Sequence, residues 1–441
     1  MAALAVVAWA VLLVLAASTT FRVDDWDLVA NRSLADPGSL LVPFNEHLIA
    51  VPAAIFRAIY AVVGLHSYLP YLAVLLLLHL GVAVAVRATV AAVSGPGAAL
   101  AAATVVLFLG SGYENLNAAF QIGQVAATLT GILAMWAVCV ARRPGVAAGL
   151  ALVAMACHAV GAAFLAGALV AQLLIDRRGA RWFAIPIAVM AVWAVAYDLE
   201  TFGHREEPIS SAIDAIPGFV LAGPFAAAGS LAGLGIRGGL VVVTAAAALA
   251  IVTRARPAAP PLVAAAAVAL ATEYALIALS RASFGWQAAE WSRYVYTAAP
   301  LAILFAAGWA GRLPRLTGER RTRAAVIVAA LTLVGVVGNL RVYLQSGDVT
   351  AQYVDRVRAA ATIAQSFPDA GRLTSDPQMP DATRLRALFA TAGSPAHDDL
   401  VPGVVRPVAD AAADEACREM LPASADLAVC RAAVLEGVGP R

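Results

Sequence analysis

Chemistry in this chain is confined to a few polar stretches between long apolar runs. The densest is FRVDDWDLVANRSLADPGSLLVPFNEHLIAVPAAIFR, Phe21 to Arg57. It brings three aspartates into four residues, Asp24, Asp25 and Asp27, followed by Asp36 and the cluster Asn45, Glu46 and His47. Carboxylates are costly near hydrocarbon, so acids crowded against an apolar segment mark either a site or a solvated acidic loop. Neighbouring carboxylates raise each other's proton affinity, which suits one of them to general base work. Adjacent side chains on an irregular segment point different ways. One of Asp24 and Asp25 is therefore expected to face a cavity, while the other caps a helix or meets backbone or an arginine; Asp24 is favoured for the cavity. Trp26 is expected at the headgroup level.

Three further stretches carry candidate binding groups. FNEHLIAVPAAIFRAIY, residues 44–60, reads as an amphipathic juxtamembrane helix interrupted at Pro52, with Glu46 and His47 off its lipid face. Asn45 can equally be an N-cap with Glu46 in the first turn. GYENLNAAFQIGQ, residues 112–124, sets Glu114, Asn115 and Gln121 beside Tyr113 and Phe120. Neutral amides beside aromatic rings suit sugar hydroxyls, and they also suit an ordinary interfacial turn. SRASFGWQAAEWSRYVY, residues 280–296, holds Arg281, Trp291, Arg293 and Tyr294. Arginine grips phosphate bidentately, and the aromatics are those of an interfacial belt. Glu273 lies inside an apolar run, where an acid is functional or paired. His79 is a lone histidine in an apolar helix and reads as structural.

The elements that must hold these groups are apolar helices. Of the 441 residues 61% are hydrophobic and only 13% charged, and mean hydropathy is +0.81. A soluble domain of this length needs more charge to cover its surface, so the chain is an all-α polytopic membrane protein. A net charge of +2 with no basic patch gives nucleic acid no purchase. The sequence contains no lysine, which removes Schiff-base and P-loop lysine chemistry.

Candidate spans are 2–18, 68–92, 98–112, 123–141, 145–159, 160–176, 182–199, 234–253, 260–280, 294–311 and 324–342. That makes about eleven by window length. Residues 211–233 are apolar but broken by Pro217, Gly218, Gly223 and Pro224, and read as re-entrant, interfacial or an extra pair of spans. Arginines gather in alternate loops, from Arg142–Arg143 to Arg320–Arg323. The positive-inside rule makes those loops cytoplasmic. The N-terminus is then inside, and the loops 19–67, 113–122 and 281–293 face outward with the C-terminus.

Residues 1–342 thus form a membrane domain with the first outer loop at 19–67. Residues 343–441 form a small extracytoplasmic domain, helical at its start and then α/β or irregular. Val354, Val357, Ala361 and Ile363 can share one face of that first helix, which Pro368 and Gly371 end. Cys417 and Cys430 are expected to form a disulfide in an oxidising compartment, while Cys139 and Cys157 are buried small hydrophobes.

Five features recur together. They are the Asp24-Asp25 pair directly after the first span, Phe44-Asn45-Glu46-His47 before a juxtamembrane helix, and GLHSYLPY at 64–71 entering the second span. Glu114-Asn115 with Phe120-Gln121-Ile122-Gly123, and Arg293-Tyr294, complete the set. Over about the first 340 residues this pattern resembles the GT-C superfamily of integral-membrane glycosyltransferases, most of all its actinobacterial members. The resemblance implies a plasma-membrane enzyme that moves a sugar from a polyprenyl-phosphate donor to a cell-envelope glycan or lipid acceptor, with inversion. It implies an aspartate of the first outer loop, Asp24 or Asp25, as base, and a basic outer-loop residue, Arg293, on the lipid phosphate. Some members bind a divalent metal through such acids. Asp24, Asp25 and Glu46 offer oxygen ligands for Mg²⁺ or Mn²⁺, though nothing in their spacing demands one. Two other classes compete: a lipid-linked-glycan flippase or transporter, and a non-catalytic accessory subunit of a cell-envelope complex. A transporter would show inverted repeats and several mid-membrane charges, neither of which is present.

Overall fold

In hydrocarbon a backbone must satisfy its own polar groups, and the Ala-, Val- and Leu-rich runs do so as helices. The computed structural model describes residues 2–44, 47–197, 209–252, 254, 256–311, 318–396 and 408–436. Among these there is no strand, only an isolated bridge in which Phe44 and His47 exchange backbone hydrogen bonds of 3.0 and 2.9 Å.

Helix α1 (Ala2–Ala16) leads into the first loop, which holds α2 (Asp25–Ala30) and α3 (Ala50–Val63). There follow α4 (Leu69–Ser94), α5 (Pro96–Leu107), the single turn α6 (Glu114–Asn117) and α7 (Ile122–Cys139). Next come α8 (Pro144–Cys157), α9 (Gly161–Ile175), α10 (Ala184–Ala196), α11 (Ile209–Ser230) and α12 (Gly235–Val252). The bundle closes with α13 (Pro260–Arg281), α14 (Ser292–Ala310) and α15 (Gly318–Gln345). The tail is built from α16 (Gly347–Ser366), α17 (Ala382–Ala392), α18 (Asp410–Met420) and α19 (Leu427–Glu436).

Seven of the described helices are long and apolar enough to cross a membrane, and five shorter apolar helices accompany them. The long set includes α11, which runs unbroken through Pro217 and Pro224. Neighbouring helices make this tolerable. The carbonyl of Phe225 lies against Gly239 and that of Gly235 against Gly229, so α11 and α12 approach too closely for any side chain larger than glycine. The expected segment 294–311, which is α14, is not among the seven. Val241, Leu249 and Ile251 of α12 and Val326, Leu331 and Leu333 of α15 are exposed. In a bundle of this composition that is a lipid-facing surface.

The inner helices are joined by sparse polar contacts. His79 of α4 hydrogen-bonds the Tyr296 hydroxyl at 2.8 Å. Thr297 of α14 meets Gln124 at 3.2 Å and Thr128 at 3.0 Å, both on α7. His79 is thus structural, as its lone position suggests. Pro52 does not interrupt α3; it lies in the helix's first turn, where its missing N–H leaves no internal bond unmade.

Beyond α16 the described parts of the tail are helices α17 to α19 joined by irregular stretches such as 367–381, with no strand among them, so the irregular part of the expected α/β or irregular character is present and the β part is not. Short Ala- and Leu-containing runs there pack as amphipathic helices on α16, whose Val354, Val357, Ala361 and Ile363 are buried. Cys417 and Cys430 are bonded, tying α18 to α19. The tail lies on the first loop. Leu65 N–H donates to the Ala392 carbonyl, and Gly64, at φ +62°, presses against that same carbonyl, where a Cβ would not fit. Arg358 reaches the Ser18 carbonyl at 3.3 Å, and Arg384 the Asn31 side chain at 3.1 Å.

Candidate functional site

The two adjacent aspartates lie in opposite settings. Asp25 is fully buried. Its Oδ2 accepts from the Arg22 backbone N–H at 3.0 Å and from the Tyr68 hydroxyl at 2.7 Å. Tyr68 in turn accepts from the Ala119 N–H at 2.6 Å, so Asp25 ties the first loop to the 113–122 loop. Burial pushes its carboxyl up to about 7, against the lowering pull of those two hydrogen bonds. Asp24 is only partly buried. Burial also raises its carboxyl above the ordinary carboxylate range, opposed by a hydrogen bond from Gln378 and by the positive charge of Arg293.

The backbone that sets Asp24 in place is strained. Val23 has φ +42°, a conformation a β-branched residue rarely adopts. Such strain persists only where surrounding structure fixes it. Here the Val23 N–H is held by the Tyr353 hydroxyl, which donates to Asp376. Asp376 also accepts from the backbone N–H groups of Gln378 and Met379, both at 3.3 Å. The tail thus supplies Tyr353, Asp376 and Gln378 to the neighbourhood of Asp24. Sequence reasoning missed all three, because nothing in an Asp-Pro-Gln turn more than 350 residues downstream signals which loop it will meet.

Arg293, in the first turn of α14, is the hub on the other side. Its Nε donates to Glu114 Oε2 at 3.1 Å, its carbonyl accepts from Gln124, and its guanidinium lies 6.0 Å from the Trp291 ring. Its two Nη groups bond no described residue. Ser292 accepts from the Glu114 N–H at 3.0 Å, which fixes the 113–122 loop to α14. The positive charge of Arg293 reaches Asp24 and also His158, whose ring is 4.5 Å from that of His47. Burial first, then the neighbouring His47 and Arg293, holds His158 well below the ordinary histidine value.

Of the residues read as binding groups, His47, Glu114, Trp291 and Arg293 therefore meet around Asp24 or the hub beside it. Glu46 lies outside the described residues. Asn115 and Gln121 are buried and hydrogen-bond each other at 3.1 Å, so their amides brace the loop. Tyr294 stacks on Trp291 with centroids 5.9 Å apart and hydrogen-bonds Arg281, which places Arg281 on the belt side of the ring cluster. Trp26 is fully buried against Phe21 and away from any headgroup. Glu273 is buried in α13 with neither oxygen bonded to a described residue.

Arg293, Glu114 and Trp291 form part of the wall of a cavity of about 530 Å³, together with Ser111, Ser292 and Glu290. Asp24 is not in that wall. Among the described residues no group of three His, Cys, Asp or Glu side chains converges to hold a metal ion. Asp24 and Asp25 turn to different partners, so those two do not assemble the Mg²⁺ or Mn²⁺ set read from the sequence, and Glu46 is not described.

The arrangement offers a partly buried carboxyl with raised proton affinity beside a guanidinium whose outer fork is available to an anion. Comparison with known proteins adds no relative: no family model, no curated protein and no solved structure matches the chain.

Proposed function

We propose that this chain is a membrane glycosyltransferase of GT-C type, moving a sugar from a polyprenyl-phosphate donor to a cell-envelope glycan or lipid acceptor on the outer face. One observation carries the reading: Arg293 is oriented by Glu114 through Nε, so that its Nη fork is left for an anion while its charge acts on Asp24. In this mechanism Asp24 takes the proton of the acceptor hydroxyl. The acceptor oxygen attacks the anomeric carbon from the face opposite the phosphate, and the sugar inverts. The anomeric C–O bond breaks, its electron pair leaves with the polyprenyl phosphate, and Arg293 stabilises the charge. A base works best with proton affinity near the working pH, and burial moves Asp24 in that direction. Asp25 serves as a structural tie between loops.

Transfer from a polyprenyl-phosphate sugar to added acceptor, followed with the protein in nanodiscs, tests the reading. Product formation that requires Asp24 supports it. A second reading, an accessory subunit, draws on the observations that Gln378 already bonds Asp24 and that Asp24 does not line the cavity. Absence of transfer in folded protein with intact acids would favour it. We place this site on the outer face of the plasma membrane from the arginine bias. A reporter fused after residue 441 is expected to be active only in an extracytoplasmic assay, and cytoplasmic activity would reverse the orientation.

A further inference from the structure

The cavity beside Arg293 has its own charge balance. Its volume, about 530 Å³, falls in the range of small-molecule sites, roughly 300–1,000 Å³. Only Glu114, Glu290 and Arg293 among its wall residues are charged, so two carboxylates face one guanidinium and the residual charge is −1. Glu114 is committed to Arg293. Glu290 has no cationic partner among the described residues. Its Oε2 accepts from the Ile236 N–H at 3.0 Å, and its other oxygen is left open. That anchoring depends on Gly235, at φ +63°, where a Cβ would sit 3.2 Å from Oε2. Ser292 accepts from Glu114 N–H and Ser111 donates to the Ser230 carbonyl at 3.0 Å, so one hydroxyl proton and one set of lone pairs remain for a ligand. Hydroxyl groups can donate to Glu290 and satisfy both serines. Glu290 is itself exposed, so solvent screens but does not abolish its repulsion of a second carboxylate brought next to it.

We infer that this cavity seats the sugar of the donor and selects an uncharged sugar over an anionic one, with Glu290 as the specificity-determining residue. The inference rests on the reading of the chain as a polyprenyl-phosphate glycosyltransferase. In this arrangement the donor phosphate lies on the Nη fork of Arg293 at the edge of the cavity. The sugar ring occupies the space between Trp291, Ser292 and Glu290.

The test is equilibrium binding to the full chain in nanodiscs, with three probes: short-chain polyprenyl phosphate, its glucosyl ester and its glucuronosyl ester. The last two differ only at C6, a hydroxymethyl group in one and a carboxylate in the other. Wild type is expected to bind the glucosyl ester more tightly than bare polyprenyl phosphate, and at least about tenfold more tightly than the glucuronosyl ester. Glu290→Gln keeps an acceptor for the Ile236 N–H and removes the charge, and it should bring that ratio below about threefold. The inference is overturned if the glucosyl ester gains nothing over bare polyprenyl phosphate, if wild type does not discriminate, or if Glu290→Gln keeps the discrimination. Arg293→Ala separates the two levels, because it should weaken all three probes. If it weakens none, the glycosyltransferase reading itself falls.

Discussion

Asp24 and Arg293 lie close enough for the guanidinium to draw on the carboxyl, yet the protein around them is built in two ways. On the Asp24 side the first loop and the tail interlock. A strained Val23 is clamped by Tyr353, Gln378 bonds the carboxyl, and Arg358 and Arg384 pin the tail to loop carbonyls. On the Arg293 side the wall is a cavity, with a guanidinium held by one nitrogen and two more left over. The first arrangement suits a group that must be held still, as the proposed base must, and the second leaves room for a ligand. A base must be held within a fraction of an ångström of its target, whereas a donor must enter and leave.

This contrast orders the expected effects of substitution. Asp24→Asn keeps the shape and the Gln378 contact but removes the proposed base, so under the glycosyltransferase reading turnover should fall about a hundred- to ten-thousand-fold. Donor binding should survive, because Arg293 is untouched. Near-normal turnover in this variant would remove Asp24 from the chemistry and favour the accessory-subunit reading. Next in size is the tail. Cys417 and Cys430 close a short loop, with a sequence separation of 13, and breaking the bond should cost about 3 kcal/mol in the chain-entropy model. Thermal melting of the wild type with and without reductant, and of Cys417→Ser beside it, measures this. Turnover lost on heating sooner than donor binding would show that the tail supports the Asp24 side alone.

Arg293→Ala should weaken donor binding by about 1.5–3 kcal/mol, the usual worth of a hydrogen bond to a charged group. Arg293→Lys keeps the charge but loses the fork and should recover only part of the affinity. Equal, negligible effects from both variants would reduce Arg293 to a belt residue. The smallest effect on turnover is at Asp25, whose effect on stability has a sign that follows from proton linkage. Its folded value, about 7, lies above the ordinary 3.8, so the folded state binds its proton more tightly than the unfolded chain. The contribution is fully present below about pH 4 and is lost as pH rises towards about 7. Asp25→Asn should flatten that decline in a melting series between pH 4 and 8 while leaving turnover within a few-fold. A decline of unchanged slope would show that another group is responsible.

Much of this molecule was legible from the order of its residues. Hydropathy alone announces helices, because an apolar chain in hydrocarbon has few other ways to satisfy its backbone. The Val354, Val357, Ala361 and Ile363 face, the Cys417–Cys430 bond and the structural His79 were likewise readable from spacing and residue type. The limits had physical causes too. Pro217 and Pro224 looked like breaks because a lone helix cannot replace their missing bonds, whereas a bundle can pack around them. The tail's apolar runs are short and mixed with Pro, Asp and Gly, which hid the amphipathic period that α17 and α18 carry and that α16 gives a face to. Asn115 and Gln121 read either as sugar-binding amides or as part of an ordinary interfacial turn, and only the folded loop, which turns them on each other, favours the second.

The sequence by itself determined that acids gather after the first apolar run and that arginine and aromatics gather before α14, since local composition is a local property. Which of two adjacent aspartates is tied down, and that Gln378 and Tyr353 come from the far end of the chain to do it, was decided by tertiary structure alone. Contacts across more than 300 residues depend on how helices stack, and stacking is set by close-packed shape over the whole bundle, which no local pattern of residues encodes.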